Sequence, residues 1–222
     1  MTPELDSNTV ARYLADNTGF FEEHAELLSR IKLTSPLAGR TISLQERQME
    51  ILREKNKTLE LHMANLIRVG QDNDIITDRM QEWSRSLLSA RNDVDLPQAL
   101  VAGLQSVFGV PHVTLRVWGV AEAYSHTWFA AAVSEDARIF TNGLSVPFCG
   151  KNHDFEAAGW LEEAPAIQSV AMLALRCPEK PEAFGLLVMG SPDPQRFTED
   201  MATDFLVGIG QTASAALTCL LD

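Results

Sequence analysis

The apolar residues between Ser43 and Pro97 follow the three-and-four spacing of a heptad repeat, and no proline interrupts this stretch. A repeat of 3.5 residues keeps one narrow apolar stripe of a helix turned toward a partner helix. With Leu52 in position a, the pattern holds without a slip as far as Leu87. It predicts one long helix, residues 43–91, that forms a coiled coil. The predicted contact residues are Leu52, Leu59, Leu66, Val69, Asn73, Ile76, Met80, Trp83 and Leu87.

One residue of this stripe, Asn73, is polar, and it indicates how the two helices pair. A buried amide is tolerated in a coiled coil when it bonds to its counterpart, which only one register allows. Asn73 therefore favours a parallel, in-register homodimer. Lys55 and His62 occupy two d positions and weaken the first layers. The alternative is therefore a long helix that packs against its own domain.

The first 42 residues predict two short amphipathic helices separated by a turn at residues 17–19. A helix-turn-helix that reads DNA needs basic residues on its second helix. Here that helix carries Glu22, Glu23 and Glu26, which favours a packing segment over a DNA reader. The apolar positions of the two helices are Val10, Tyr13, Leu14, Phe20, Phe21, Leu27, Leu28 and Ile31.

Residues 92–222 combine helical and strand patterns. Apolar residues with helical spacing occur at both ends of this region, and alternating or continuous apolar runs lie between them. The middle, residues 120–168, has weak periodicity and scattered aromatic residues. The predicted elements are a helix from Asp95 to Gly109, strands at 112–119, 169–176 and 184–191, and a closing helix from Thr198.

The net charge of −12 is concentrated in the C-terminal part of the chain. Lys, Arg, Asp and Glu give −3 over residues 1–39, +1 over 40–91 and −10 over 92–222. Nucleic acids and anionic membrane surfaces bind proteins through basic residues that replace counterions. We therefore expect direct binding to neither.

The N-terminal sequence and the cysteines indicate a cytoplasmic protein. MTPELD is acidic where a secretion signal is basic. No apolar run approaches the roughly 18 residues that a membrane-spanning helix needs. Cys149, Cys177 and Cys219 are odd in number and widely spaced, which fits neither a disulfide framework nor a zinc site. Reduced thiols and no bound metal are expected.

Several stretches of the sequence resemble the GAF domain family. They are VFGVPHVTLRVW, SVAMLALR, FGLLVMGSPDPQRFTEDMATDFL and the last helix, and they cover roughly residues 92–222. Together with VARYLADNTGFFEEHAELL and SLQERQMEILR, they are similar to an uncharacterised bacterial GAF-like family over nearly the whole chain. The resulting organisation is a helical segment at 1–42, a dimerising helix at 43–91 and a GAF-like domain at 92–222.

The resemblance implies an α+β fold with an antiparallel sheet flanked by helices. The first and last helices would cover one face, and a small-molecule pocket on the other face would be closed by the irregular middle segment. It names no ligand and no cofactor. The N-K-F-D-E residues associated with cyclic-nucleotide GAF domains are absent, and so is a Cys-His pair placed as in bilin-binding photoreceptors.

The candidate pocket residues on the first strand are Thr114, Arg116 and Trp118, which alternate with the apolar positions. If the apolar face packs on the helices, this mixed face looks into the pocket. An arginine beside an aromatic ring suits an anionic or planar ligand. The alternative is that Arg116 pairs with an acidic side chain and Trp118 fills core.

Cys149 and His153 are two further candidates, since a thiolate near a histidine is a common nucleophile or redox thiol. Some GAF-like proteins reduce methionine sulfoxide with several cysteines. Here Cys177 precedes a proline and Cys219 lies in the predicted last helix, so that arrangement is not reproduced. We therefore place Cys149 and His153 in the candidate ligand site and predict no catalytic residue.

The sequence supports three hypotheses of function. The first is a non-enzymatic regulatory protein that binds a small molecule in the GAF-like domain and signals through the coiled-coil homodimer, with a protein partner as its output. The second is a structural or adaptor dimer without a ligand. The third is a thiol-dependent reductase built on Cys149.

Overall fold

The computed structural model of the protein describes residues 6–30, 32–34, 41–178, 180–201 and 203–222. Ile31, one of the predicted apolar positions, lies outside these ranges, and so does part of the predicted segment 1–42. The chain divides into two compact units, Met1–Gln71 and Asp72–Asp222.

In the first unit, both predicted N-terminal helices are found, but the second is interrupted at His24. Tyr13 and Phe20 meet edge to face with ring centroids 6.3 Å apart, and Phe20 meets Phe21 in the same way at 5.5 Å. None of the residues of α1 and α2 is buried. The elements before the long helix are α1 (Ser7–Asp16), α2 (Phe20–Glu23), α3 (Ala25–Arg30) and an antiparallel hairpin of β1 (Lys32–Thr34) and β2 (Thr41–Ser43).

The long helix predicted at 43–91 is present as α4 (Leu44–Leu88). It starts in the first unit and ends in the second. Helix formers such as Leu, Glu, Lys and Arg dominate its sequence, and it contains no proline.

The second unit is an α+β domain, as the sequence predicts. Its four-stranded sheet has the order β3-β6-β5-β4, and every neighbouring pair is antiparallel. The elements are α5 (Leu96–Phe108), β3 (His112–Val117), α6 (Glu135–Gly143), β4 (Phe148–Lys151), β5 (Ser169–Arg176), β6 (Ala183–Ser191) and α7 (Asp204–Leu217).

Two apolar cores lie on opposite faces of this sheet. Since side chains alternate along a strand, Leu173 of β5 joins the core that contains α5 and α7, whereas Met172 joins the other core. The face beneath α5 and α7 is called the helix face, and the opposite face is called the second face. The irregular chain between β4 and β5, with a contribution from α6, covers the second face.

The ends of the two outer helices differ in how well the sequence predicts them. α5 stops at Gly109, whose φ of 63° is the left-handed conformation that glycine adopts after a helix. α7, however, begins at Asp204 and not at Thr198. Phe197 is buried in the core. The chain that follows it therefore turns before helix α7 begins.

Candidate functional site

The mixed face of β3 lies at one edge of the sheet, because β3 pairs only with β6 among the described strands. As predicted, Val113, Leu115 and Val117 belong to the helix-face core. Trp118 packs against the core of the second face. Thr114 is buried, and Arg116 is partly buried.

Arg116 makes no ion pair within the described residues. Its Nη1 donates to the backbone oxygen of Trp128 at 2.9 Å and to that of Leu115 at 3.3 Å. The guanidinium carbon lies 5.7 Å from the ring centroid of Trp160. Partial burial lowers the pKa of Arg116 from its ordinary value, yet an arginine stays charged in proteins. Within the described part of the chain, the hydrogen bonds of Arg116 go to backbone oxygens, so the alternative of an acidic partner is not found there.

A cleft of about 350 Å³ opens around this arginine. Strand β3 forms its floor, helix α5 forms one wall, and two tryptophans from the irregular middle segment form the other. Polar groups therefore converge beside two aromatic rings, so the cleft is more polar than most small-molecule sites. The lining residues are Gln98, Val101, Gln105, His112, Val113, Thr114, Arg116, Trp128, Trp160 and Glu162.

Trp118, the third predicted residue of this strand, does not line the cleft. Its indole Nε1 donates to the backbone oxygen of Ala183 at 2.7 Å. On its other side, the guanidinium carbon of Arg138 lies 5.7 Å from the ring centroid. Trp118 therefore closes the end of the second-face core, as the alternative reading of this residue predicted.

The second face of the sheet is filled by side chains of the middle segment. Ala157, Ala158 and Leu161 belong to its buried core. The packing is tight: a β-carbon on Gly190 would lie 2.5 Å from Cδ1 of Leu161. The part of this face beneath Leu161 is thus filled by the protein itself, and the Arg116 cleft lies at the β3 edge of the same face.

The segment that fills this face is bounded by two strained residues. Asp154 and Glu163 both have a φ of 56°, a left-handed conformation that costs energy for a residue with a β-carbon. Between them lie Phe155, packed edge to face against Phe148, and Trp160, which walls the cleft.

Cys149 lies apart from the Arg116 cleft, which corrects the grouping made from sequence. Its thiol is buried in the helix-face core, on the opposite side of the sheet from Trp118. Burial raises the pKa of this thiol to about 11, which is the reverse of the activation that a nucleophile needs. His153 is exposed, and its recorded ring contact is with Phe155. No contact joins Cys149 and His153 within the described residues.

The predicted dimer stripe is exposed in the first unit. Leu52, Leu59 and Leu66 are 55%, 63% and 71% exposed, although apolar side chains on a helix normally face a core. Val69 and Asn73 are also exposed. These residues remain available to a partner.

The C-terminal end of the predicted dimer stripe packs inside the domain and not against a partner helix. This is the second correction to the residues predicted from the sequence. Trp83 and Leu87 are 0% and 5% exposed because they pack inside the second unit's own core. The Trp83 Nε1 donates to the backbone oxygen of Leu100 at 3.3 Å. Met80 packs partly against the same core, and Ile76 is partly exposed. Trp83 and Leu87 therefore have no free surface for a coiled coil, as the alternative of a helix packed on its own domain implies.

Within the second unit, helix α5 contacts both the Arg116 cleft and Trp83 of α4. Gln98 and Gln105 line the Arg116 cleft, while Leu100 and Gly103 on another face of α5 contact Trp83. The cleft and Trp83 of α4 therefore contact the same helix on two of its faces.

Metal binding and membrane spanning are two further classes of function. Among the described residues, no group of three or more His, Cys, Asp or Glu side chains is arranged to hold a metal ion. None of the helices in the described ranges combines the length and the apolar character that crossing a bilayer requires.

Comparison with known families decides where the chain belongs. The model of the family described as "Protein of unknown function, DUF484" matches residues 1–217. The chain belongs to the DUF484 family. The uncharacterised family expected from the sequence is thereby confirmed. No curated protein matches this DUF484 chain significantly.

Solved structures that resemble this DUF484 protein include GAF domains. The GAF domain of a Pseudomonas syringae pv. tomato protein is 13% identical and has a TM-score of 0.44, with 68% of this chain and 90% of that chain covered. The GAF domain of an Acinetobacter phosphoenolpyruvate-protein phosphotransferase is 14% identical with a TM-score of 0.45, covering 64% and 92%. A free methionine-R-sulfoxide reductase from Neisseria meningitidis is 12% identical with a TM-score of 0.44, covering 64% and 87%. Similarity at this level transfers no ligand and no activity.

Sequence reasoning missed Trp128, Trp160 and Glu162, which complete the cleft beside Arg116. Trp128 and Trp160 lie in short 3-10 turns, and Glu162 follows the second of these turns, so no periodic pattern marks the three residues. The available signal was composition alone: tryptophans in an irregular, glycine-containing stretch.

Proposed function

We propose that this DUF484 protein is a non-enzymatic regulatory protein that binds a small molecule with one anionic group and a planar part in the Arg116 cleft. The observation that carries this proposal is the environment of Arg116. Its guanidinium faces a cleft, lies over the Trp160 ring, and bonds only to neutral backbone oxygens among the described residues. A charged donor in that setting is suited to an anionic ligand.

The size and charge of the cleft narrow the ligand class. A volume of about 350 Å³ is near the lower end of ordinary ligand pockets. Glu162 also lines the cleft, and residues 92–222 carry a charge of −10, so a polyphosphate would be repelled. A planar monocarboxylate places its charge on Arg116 and its ring beside Trp128 or Trp160.

Helix α5 supplies the route from ligand to output. A ligand that contacts Gln98 or Gln105 changes the preferred position of α5, and α5 holds Trp83 of α4 on another face. Binding shifts such an equilibrium by the ligand's differential affinity for the two positions of the helix. The exposed residues Leu52, Leu59 and Leu66 then couple two copies of α4 in a parallel homodimer.

Native mass spectrometry of the full chain, purified without denaturation, tests subunit number and retained ligand together. Thermal unfolding in the presence of benzoate, nicotinate and indole-3-acetate then tests the ligand class. A ligand at about 100 times its dissociation constant stabilises by about 2.7 kcal/mol, which corresponds to roughly 5–10 °C for a domain of this size.

Arg116→Ala should abolish this thermal shift. Arg138→Ala is the matched control, since Arg138 also lies over a tryptophan ring at 5.7 Å but does not line the cleft. Equal shifts in wild type and Arg116→Ala, or no shift with any of the three acids and no retained mass, would reject the cleft as a ligand site.

The second candidate is a structural or adaptor dimer, and the filled second face favours it. A domain that has closed its pocket with Leu161 and its neighbours needs no ligand to be stable. This function predicts a dimer without any retained mass, and an Arg116→Ala variant that behaves as wild type in every partner assay.

A further inference from the structure

Strand β5 is longer than its neighbour β4, and this leaves a free strand edge. β4 pairs from Phe148 opposite Met172 to Lys151 opposite Ser169. β5 continues beyond Met172 to Arg176, paired there with β6 alone. Residues 173–176 therefore have a strand on one side and none on the other within the described chain, and of their backbone donors the Arg176 N–H is already bonded to Ser214 Oγ of α7 at 3.1 Å. Free strand edges are ready-made sites for a further strand.

A groove of about 640 Å³ runs along this free edge. Leu173 and Ala174 form one side, α7 contributes Leu206 and Val207, and the loop 144–147 between α6 and β4 forms the opposite wall. The lining is predominantly apolar. The groove lies away from the Arg116 cleft, which is at the other edge of the sheet.

One end of the groove is cationic. Arg176 donates from Nη2 to the backbone oxygens of Thr141, Asn142 and Leu144 at 3.2, 2.9 and 3.1 Å, and from Nη1 to the backbone oxygen of Pro181. All of these acceptors are neutral. Lys180, which also lines the groove, is exposed. Neither cation has an ion-pair partner among the described residues, although the surrounding region carries −10.

We propose that this groove binds an extended apolar peptide segment of a partner protein, which adds as a strand to β5 and directs a carboxylate to Lys180 and Arg176. The three features require different parts of one ligand: the strand edge needs main-chain amides, the apolar walls need alternate side chains, and the cations need a carboxylate. A small apolar molecule leaves the strand edge unused, which is why a peptide is the occupant.

Two features locate the specificity of this site. Ala174 of β5 and Ala215 of α7 both line the groove, and their small side chains leave space for the ligand's side chains. Lys180 provides the charge selectivity, since Arg176 is already held in place by its four backbone acceptors. A peptide with a free C-terminal carboxylate should therefore bind better than the same peptide with a C-terminal amide.

The experiment selects peptides that bind the full-length protein from a displayed library of random heptapeptides with free C-terminal carboxylates. Selected peptides are then synthesised and titrated by calorimetry. We expect alternating apolar residues, and a loss of affinity of about tenfold or more, roughly 1.4 kcal/mol, in Lys180→Glu or on C-terminal amidation. N-methylation at alternate peptide positions should abolish binding at one parity only, because only alternate amides face the β5 edge.

Ala215→Trp fills the groove from an exposed position on α7 and should eliminate binding. Ala102→Trp is the matched control, since Ala102 is equally exposed on α5 and does not line the groove. The proposal is overturned if no peptide is enriched over the Ala215→Trp protein, if selected peptides bind Ala215→Trp as well as wild type, or if N-methylation at every position is without effect.

Discussion

The indole ring of Trp83 lies directly against the bare α-carbon of Gly103. A β-carbon on Gly103 would stand 2.5 Å from Cδ1 of the ring and 3.0 Å from Nε1. Real β-carbons do not approach other atoms so closely, so only glycine at 103 lets α4 and α5 pack at their present distance. This contact anchors the C-terminal end of the long helix in the domain core.

The first prediction concerns Gly103→Ala. Overpacking in a core costs about 1–3 kcal/mol, and alanine returns less than about 1 kcal/mol through its better helix propensity. We expect a net loss of about 1–2 kcal/mol in the free energy of unfolding, measured by urea denaturation. Gly208→Ala on α7 is the control, because its β-carbon would meet Cε of Met80 at an ordinary 3.6 Å. A Gly103→Ala protein as stable as Gly208→Ala would contradict the described packing.

The second prediction concerns the exposed stripe of α4. Replacing Leu59 and Leu66 by Asp places charges where two helices would meet. We expect monomers by light scattering, with the melting temperature of the C-terminal domain unchanged. The control is Leu61→Asp, because Leu61 is 62% exposed and lies off the stripe. A dimer that survives the double substitution would show that another surface joins the chains.

The third prediction concerns the pH dependence contributed by Cys149. Burial raises the pKa of its thiol from 9.0 to about 11. Below pH 9.0 the thiol is protonated in both folded and unfolded chains, so its contribution to stability is complete. Between pH 9.0 and about pH 11 the unfolded chain loses the proton first, and the free energy of unfolding falls as pH rises.

The measurement is the difference in unfolding free energy between wild type and Cys149→Ala, followed from neutral pH upward. The difference should be constant at neutral pH and change only above about pH 9. A difference that changes below that pH would indicate a reactive, low-pKa thiol and would restore the reductase hypothesis.

The fourth prediction concerns the filled second face. Gly190→Ala would place a β-carbon 2.5 Å from Leu161 and 3.1 Å from Ile167. We expect a loss of about 1–3 kcal/mol in calorimetric unfolding. Gly159→Ala is the matched control in the covering segment, since no atom lies within 4 Å of its β-carbon position. Equal stability of the two variants would mean that the face is loosely covered.

The regular elements of the domain were predictable because their periodicity is strong. Val113, Leu115 and Val117 alternate, and the helix that ends at Gly109 has its stop signal in the sequence. β4 was missed because four residues, Phe148–Lys151, are too few to establish alternation. Its pairing with β5 is a long-range contact that no local pattern reveals.

The site was predictable only in part, for a related reason. Arg116 was assigned correctly to a face because strand alternation is local. Cys149 was misplaced because its strand was not predicted, so its side of the sheet was unknown. Trp83 and Leu87 fit a heptad equally well with a partner helix or with α5, since a buried stripe has the same period in both cases. Periodicity gives burial but not the identity of the covering element.

The segment that covers the second face, between the strained residues Asp154 and Glu163, has a consequence for the rate of ligand binding. A ligand that binds beneath that segment must wait for the segment to leave, so its observed association rate would level off at the opening rate as the ligand concentration is increased. Its apparent dissociation constant would equal the intrinsic constant divided by the fraction of molecules in which the segment is open. A ligand of the Arg116 cleft meets an open site, and its association rate would rise linearly with concentration. Rapid-mixing traces alone would therefore distinguish a ligand bound beneath the covering segment from one bound in the Arg116 cleft.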